Sequence, residues 1–170
     1  YDVDIIGMEP ALKVACDRGE HQRIAVWATQ LTLSEKKFAD LMNRFKDEHH
    51  IIKVPCPELV RMVEDNKLDD ANLVESCLKE YLEASDYKNL DSIVLGCTHF
   101  PFYTKYLEKL CPNVHIIEGS VGTTLHTKDL LEQKGLLNTS CEEGQITWMN
   151  TMDSKIELSK CLFKKLEVEL

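Results

Sequence analysis

Short apolar runs alternate with amphipathic stretches along most of this chain. The apolar runs predict β-strands at residues 2–6, 23–28, 50–54, 92–95, 114–117 and 145–149. Apolar residues at helical spacing between these runs predict helices over 10–18, 34–45, 57–64, 69–83, 102–110 and 121–134, and from residue 154 onward. Apolar strands separated by helices are typical of parallel sheets that are covered on both faces. The pattern therefore predicts an α/β fold.

Residues that begin or end helices support these boundaries. Asp69 is suited to cap the start of its helix, and Ser154 with Glu157 has the spacing of a capping box. Gly19 and Gly135 follow the ends of two predicted helices, where glycine adopts the left-handed conformation most easily.

Ligands of open parallel sheets bind at the carboxyl ends of the strands, which selects the loops 28–32, 55–57 and 96–101. In the third loop, Gly96 permits a tight turn, and Cys97 and His99 would point to the same side if the backbone stays extended. A nearby imidazole can stabilise a thiolate or hold a proton for it. On spacing alone, however, a small buried core residue is the commoner role for Cys97.

The other candidate residues each have a structural interpretation that competes with a functional one. Thr29 and Thr32 can donate hydroxyls to a carboxylate or cap the helix that follows. Cys56 lies between two prolines, which favours a rigid turn. The remaining cysteines are interpreted as packing residues, except Cys141 in a polar loop.

Composition narrows the function classes. The 170 residues carry 20 Lys and Arg against 29 Asp and Glu, a net charge of −9, with no basic stripe that would favour nucleic acid. No apolar run is long enough to predict a membrane span. Seven irregularly spaced cysteines without a CxxC pair indicate neither a disulfide framework nor a zinc site, and a reducing cytoplasm is the simplest compartment.

Five segments in order resemble the glutamate racemases of the aspartate/glutamate racemase superfamily. The stretch 92–102 (SIVLGCTHFPF) resembles their second catalytic-cysteine motif. Four further segments are similar to family motifs: 6–11 (IGMEPA), 24–32 with its A-T-x-x-T ending, 54–64 (VPCPELVRMVE) and 145–153 with Thr151 and Asp153. The likeness therefore extends over nearly the whole chain.

The resemblance implies a cofactor-independent, metal-free racemase in which two cysteines act on opposite faces of the substrate α-carbon. Cys97 matches the second catalytic cysteine, and Thr98 and His99 match positions that contact substrate and assist proton transfer. Thr29 and Thr32 match hydroxyls near the substrate carboxylate. Glu64 resembles an assisting carboxylate, although its place at a helix end also suits a solvated surface charge.

The resemblance further implies two α/β lobes with the site between them. Residues 9–118 would form the second lobe nearly completely, and 1–8 with 119–170 would form the C-terminal part of the first. The family's D-S-G-x-G-G and C-N-T motifs are absent, and the first residue is Tyr1, so we expect a segment of a longer protein.

The implied partner is glutamate as a small-molecule substrate, with D-glutamate supplied to peptidoglycan, no nucleic acid, no membrane, and a homodimer left open. Three alternatives remain: an aspartate or related racemase, a non-catalytic amino-acid-binding fragment, and nucleophilic catalysis by Cys97 and His99. His99 favours a glutamate racemase, since aspartate racemases tend towards an acidic residue there. The third alternative lacks an identifiable orienting Asp or Asn.

Overall fold

A four-stranded parallel sheet forms the centre of the computed structural model, which describes residues 3–8 and 10–167. Its strands are β1 (Arg23–Ala28), β2 (His50–Pro55), β3 (Ser92–Leu95) and β4 (His115–Glu118), in the order β2-β1-β3-β4. Trp27 of β1 is in register with Val54 of β2 and Leu95 of β3, so these strands end at the same edge. The predicted α/β class with a parallel sheet is confirmed.

Burial explains which strands are central. The side chains from Ile24 to Ala28 in β1 are fully buried, and every residue of β3 is buried, whereas β2 and β4 include exposed residues. Central strands are covered on both faces and therefore are apolar at consecutive positions. The carboxyl ends of β1 and β3 consequently belong to the two buried, central strands of the sheet.

The helices follow the predicted alternation. The α-helices are α1 (Leu12–Cys16), α2 (Gln30–Ser34), α3 (Lys36–Asn43), α4 (Pro57–Glu64), α5 (Ala71–Ala84), α6 (Thr104–Leu110), α7 (Ser120–Gln133) and α8 (Ile156–Glu167). Short 3-10 helices cover Tyr87–Asn89, Phe100–Tyr103 and Asp153–Lys155.

Several helix ends differ from the sequence predictions. Asp70, not Asp69, caps α5, because the Asp70 side chain accepts a hydrogen bond from the Leu73 N–H at 3.1 Å. The helix predicted over 34–45 is interrupted at Glu35, whose extended backbone separates α2 from α3. Gly135 has a positive φ of 66° as predicted, but after α1 the left-handed residue is His21 rather than Gly19.

Two of the predicted strands are wrong within the described residues. Residues 145–149 and the described part of 2–6, namely 3–6, are not in strands; Asp2 lies outside the described residues. A strand needs a neighbour to pair its backbone N–H and C=O groups, and no pairing in the described sheet involves either segment. Their apolar side chains are accordingly exposed, as at Val3, Ile5, Ile146 and Met149.

The chain divides into two compact units, Tyr1–Leu130 and Leu131–Leu170. The first contains the sheet. In the second, Trp148 makes an edge-on ring contact with Phe163 of α8 at 5.4 Å. The assignment of 9–118 to one racemase lobe and of 1–8 with 119–170 to another stays a prediction. No helix among the described residues is both long and apolar enough to cross a bilayer.

Candidate active site

The loop after β3 brings Cys97 and His99 together. The two residues lie between the end of β3 and the 3-10 helix Phe100–Tyr103, and the Phe100 N–H donates to the Cys97 carbonyl at 3.0 Å. The backbone of His99 is helical rather than extended, so this turn places both side chains on one side. Cys97 Sγ lies 3.7 Å from His99 Nδ1.

The second ring nitrogen of His99 reaches Glu64, the last residue of α4. His99 Nε2 lies 2.9 Å from Glu64 Oε1. Leu59, Met62 and Val63 bury one face of α4, which leaves Glu64 half-buried beside the loop. Glu64 is therefore not a purely solvated surface charge. A continuous hydrogen-bonded chain runs from Cys97 through His99 to Glu64.

Electrostatic effects within this chain favour an ion pair. Burial acts to raise the pKa of Cys97, but the hydrogen bonds and positive charge of His99 outweigh it and lower that pKa below its ordinary value. The pKa of His99 is raised to about 9 by its bond to Cys97, and further by Glu64, against the opposing effect of burial. A protonated imidazole donates from both nitrogens, which suits a thiolate on one side and a carboxylate on the other.

The other cysteines behave differently. Burial raises the pKa of Cys16 and of Cys111 to about 11, and it also raises the pKa of Cys56 and Cys77. The Cys56 thiol is fully buried and donates to the Val54 carbonyl at 3.3 Å, in keeping with a structural turn. Cys141 is exposed and Cys161 is half-buried. All seven cysteines are free thiols.

Gly96 lies where the strand end meets its neighbours. A Cβ at this position would come within 3.2 Å of Ala28 Cβ, Pro10 Cγ and the Trp27 carbonyl oxygen. The Gly96 N–H donates to that same carbonyl at 2.8 Å. Pro10 belongs to the segment 6–11, so this segment packs against the base of the site; its Glu9 lies outside the described residues.

The threonines predicted to contact substrate take no part in the hydrogen bonds that join Cys97, His99 and Glu64. Thr29 and Thr32 follow β1, so they lie at the same sheet edge as the loop after β3. Thr29 Oγ1 accepts from the Thr32 N–H at 3.3 Å and lies 3.0 Å from Thr32 Oγ1, which is the capping role. Both side chains remain partly exposed, and Thr98 is exposed between Cys97 and His99.

Sequence reasoning did not single out Tyr103. Its fully buried side chain donates a hydrogen bond from the hydroxyl to the Leu59 carbonyl of α4 at 2.6 Å. A tyrosine in a helical stretch gives no sequence signal for a partner on another helix. Within the described residues, no group of three His, Cys, Asp or Glu side chains is arranged to hold a metal ion.

Individual known proteins, rather than a family model, show what this chain is similar to. No family model matches the chain. The chain is 51% identical over 154 residues to a glutamate racemase of Bifidobacterium animalis subsp. lactis, which spans 89% of this chain and 60% of the relative. It is 46% identical over 173 residues to a glutamate racemase of Bifidobacterium longum subsp. infantis, with 95% of this chain and 66% of the relative covered.

A solved structure agrees at the level of fold. Escherichia coli glutamate racemase, determined in complex with L-glutamate and the activator UDP-MurNAc-Ala, is similar with a TM-score of 0.75 at 23% identity. The similarity covers 97% of this chain and 63% of that protein. The chain thus spans roughly three-fifths to two-thirds of the length of the racemases it matches. By sequence over most of its length and by fold, the chain belongs to the glutamate racemase family.

Proposed function

We propose that this chain forms the part of a glutamate racemase that carries one of two proton-transferring thiols, Cys97. The observation that carries the proposal is the chain Cys97–His99–Glu64, with its 3.7 Å and 2.9 Å contacts. These three hydrogen-bonded side chains favour a thiolate at Cys97, because His99 lowers the pKa of Cys97, whereas burial raises the pKa of Cys56. A thiolate beside the substrate α-carbon is the base that the reaction requires.

The proposed reaction moves one proton off the α-carbon and another onto it. In one direction, Cys97 as thiolate removes the α-proton: the C–H bond breaks, an S–H bond forms, and the electron pair stays on carbon as a carbanion. A second thiol on the opposite face then protonates that carbanion. In the other direction Cys97 begins as a thiol and donates its proton. This scheme needs no redox change, metal or cofactor.

His99 and Glu64 have different roles in this scheme. His99 touches the reacting sulfur and supplies a positive charge beside the thiolate. Glu64 acts through His99, because its carboxylate accepts from Nε2 and so favours the protonated ring. When Cys97 takes up a proton it loses its negative charge. The pKa of His99 then falls, because that charge no longer favours the protonated ring.

Glutamate is the proposed substrate. The relatives named above are glutamate racemases, and the Escherichia coli structure contains L-glutamate. The hydroxyls of Thr29, Thr32 and Thr98 at the carboxyl edge of β1 and β3 are the groups we propose to bind the substrate carboxylates. His99 distinguishes this reading from an aspartate racemase. We further propose a cytoplasmic role in supplying D-glutamate for peptidoglycan, in keeping with seven free cysteines.

Nucleophilic catalysis is a second candidate that one observation favours. Cys97, His99 and Glu64 have the order of nucleophile, base and orienting carboxylate, and Glu64 takes the orienting place for which the sequence offered no Asp or Asn. Mass spectrometry of the protein during incubation with glutamate or γ-glutamyl amides separates the two functions. The racemase account predicts no covalent adduct on Cys97; an acyl adduct that forms and decays would support the second candidate.

The proposed function is tested by interconversion of D- and L-glutamate. We expect no turnover by the 170-residue chain, because one thiol serves only one face of the α-carbon. A chimera that joins this chain to the part of the Bifidobacterium animalis relative that it does not match should racemise glutamate. Turnover by the chain alone that Cys97→Ser abolishes, or a folded chimera without activity, would overturn the proposal.

A further inference from the structure

Tyr103 links the two segments that carry His99 and Glu64. It ends the 3-10 helix that begins directly after His99, and Leu59 lies on α4, the helix that ends with Glu64. The Tyr103 hydroxyl donates to the Leu59 carbonyl at 2.6 Å, and both residues are fully buried. One buried hydrogen bond therefore joins the His99 loop to the Glu64 helix.

We propose that Tyr103 is a positioning residue whose hydroxyl holds α4 at the distance at which Glu64 reaches His99. This proposal rests on the proposed function, since it assigns a purpose to the Cys97–His99–Glu64 chain. The hydroxyl does not touch the reacting atoms. It acts by fixing the helix that presents the carboxylate.

The hydroxyl of Tyr103 makes a contact that a phenylalanine could not make. A phenyl ring alone would fill the same buried space without joining the loop to α4, and the buried hydroxyl is paired, as a buried polar group must be. The distance to the Leu59 carbonyl lies at the short end of the ordinary range for O–H···O bonds. Burial also raises the pKa of Tyr103, so the hydroxyl remains a donor.

A second tyrosine contacts α4 more loosely. The Glu58 N–H near the start of α4 donates to the Tyr81 hydroxyl at 3.4 Å, at a partly exposed position. A movement of α4 by about 1 Å away from the loop would take the 2.9 Å contact between Glu64 and His99 outside the range of about 2.7–3.2 Å that N–H···O hydrogen bonds occupy. Of these two hydrogen bonds to α4, the shorter and buried bond of Tyr103 is therefore the one to which we assign the positioning of Glu64.

The experiment follows the ionisation of His99 by NMR in the 170-residue chain. The titratable groups that act on this ring are Cys97 in its own loop and Glu64 on α4. Tyr103→Phe should raise the acid dissociation constant of His99 by about threefold, and Glu64→Gln by about tenfold. In the double variant Y103F/E64Q the constant should equal that of E64Q alone, because Tyr103 acts only through Glu64.

The control is Tyr87→Phe, which removes a hydroxyl near the opposite end of β3 and should leave His99 unchanged. If Y103F leaves the His99 constant at its wild-type value while E64Q raises it, the positioning proposal is wrong and the proposed function stands. If Y103F and E64Q add fully in the double variant, Tyr103 acts independently of Glu64 and the positioning proposal is also overturned. If neither E64Q nor Cys97→Ser changes the acid dissociation constant of His99, then His99 is not coupled to Cys97 and Glu64, and the observation that carries the proposed function fails as well.

Discussion

Two opposing effects act on the thiol of Cys97. Removal from water favours the neutral thiol, whereas the hydrogen bonds and charge of His99 favour the thiolate. At Cys56 burial acts without a histidine that opposes it, and the pKa is raised. The imidazole two positions along the chain is thus what distinguishes the proposed proton carrier from a buried structural cysteine.

Replacing His99 should reverse the balance at Cys97. In His99→Asn, burial remains while the positive charge is lost, so the pKa of Cys97 should rise above its ordinary value. Alkylation of the Cys97 peptide by iodoacetamide near neutral pH, followed by mass spectrometry, should slow by about tenfold or more. His115→Asn, at an exposed position, is the matched control. If the rate of Cys97 alkylation in H99N depends on pH as it does in the wild-type chain, His99 is not the group that lowers the pKa of Cys97.

The ionisation of His99, which Cys97 favours most and Glu64 favours further, should make stability depend on pH in one direction. The pKa of His99 is raised to about 9 in the folded chain from an ordinary value of 6.5. Its contribution to stability is therefore fully present below about pH 6.5 and is lost as the pH rises through about 9. Because Glu64 is 44% exposed, solvent screening limits the contribution of this pair.

Thermal unfolding of Glu64→Gln measures this dependence. The variant should melt about 2–4 °C below the wild-type chain near pH 6, for a loss of about 1 kcal/mol. The gap should narrow above about pH 9, where His99 becomes neutral in both proteins. Glu108→Gln, at an exposed site on α6, should show no such trend. A gap that widens with pH would show that the sign is wrong.

At the scale of elements, the site depends on how closely β3, β1 and the segment around Pro10 approach one another. Gly96 allows this approach because it has no side chain. A Cβ at this position would crowd the Trp27 carbonyl oxygen, which already accepts a hydrogen bond from the Gly96 N–H. The backbone oxygen cannot move aside as a flexible side chain can. The start of the Cys97 loop is therefore fixed by the sheet rather than by the loop itself.

Two glycine substitutions separate local crowding from a general effect of alanine. Gly96→Ala should lower the free energy of unfolding by about 1–3 kcal/mol, because three neighbours at 3.2 Å must give way. Gly122→Ala, on α7 with open space around it, should raise it by up to about 1 kcal/mol. Chemical denaturation measures both. A loss at Gly122 as large as the loss at Gly96 would contradict the crowding argument.

The sequence predicted best the strands that are buried on both faces of the sheet, because such strands are apolar at consecutive positions. The central strands β1 and β3 are uninterrupted apolar runs, and their bounds agree with the prediction residue by residue. The run 145–149 alternates polar and apolar residues, and none of the described strands pairs with it, since pairing is a property of the whole fold. Cys97 and His99 could be paired from their spacing. The contact of His99 with Glu64 could not, because it depends on where α4 lies.

For the whole molecule, large apolar side chains remain exposed both on α7 and in the second unit. They include Val121 and Leu125 on α7 and Met149 and Met152 in the second unit. The chain also matches only 60% and 66% of two racemase relatives. The proposed reaction needs a second thiol on the opposite face of the substrate, and within the resemblance no segment of this chain matches that thiol. The racemase activity is therefore proposed for this chain joined to the part of a glutamate racemase that it does not match.

The central claim is that Cys97 transfers a proton at the α-carbon of glutamate. The most direct measurement is exchange of the α-hydrogen of D- and L-glutamate in D₂O, followed by NMR, in the chimera described above and its Cys97→Ser variant. Cys141→Ser, at an exposed position, serves as the control. We predict that C97S slows exchange from one enantiomer by at least about a hundredfold and affects the other far less. Small, equal losses from both enantiomers would show that Cys97 is only structural.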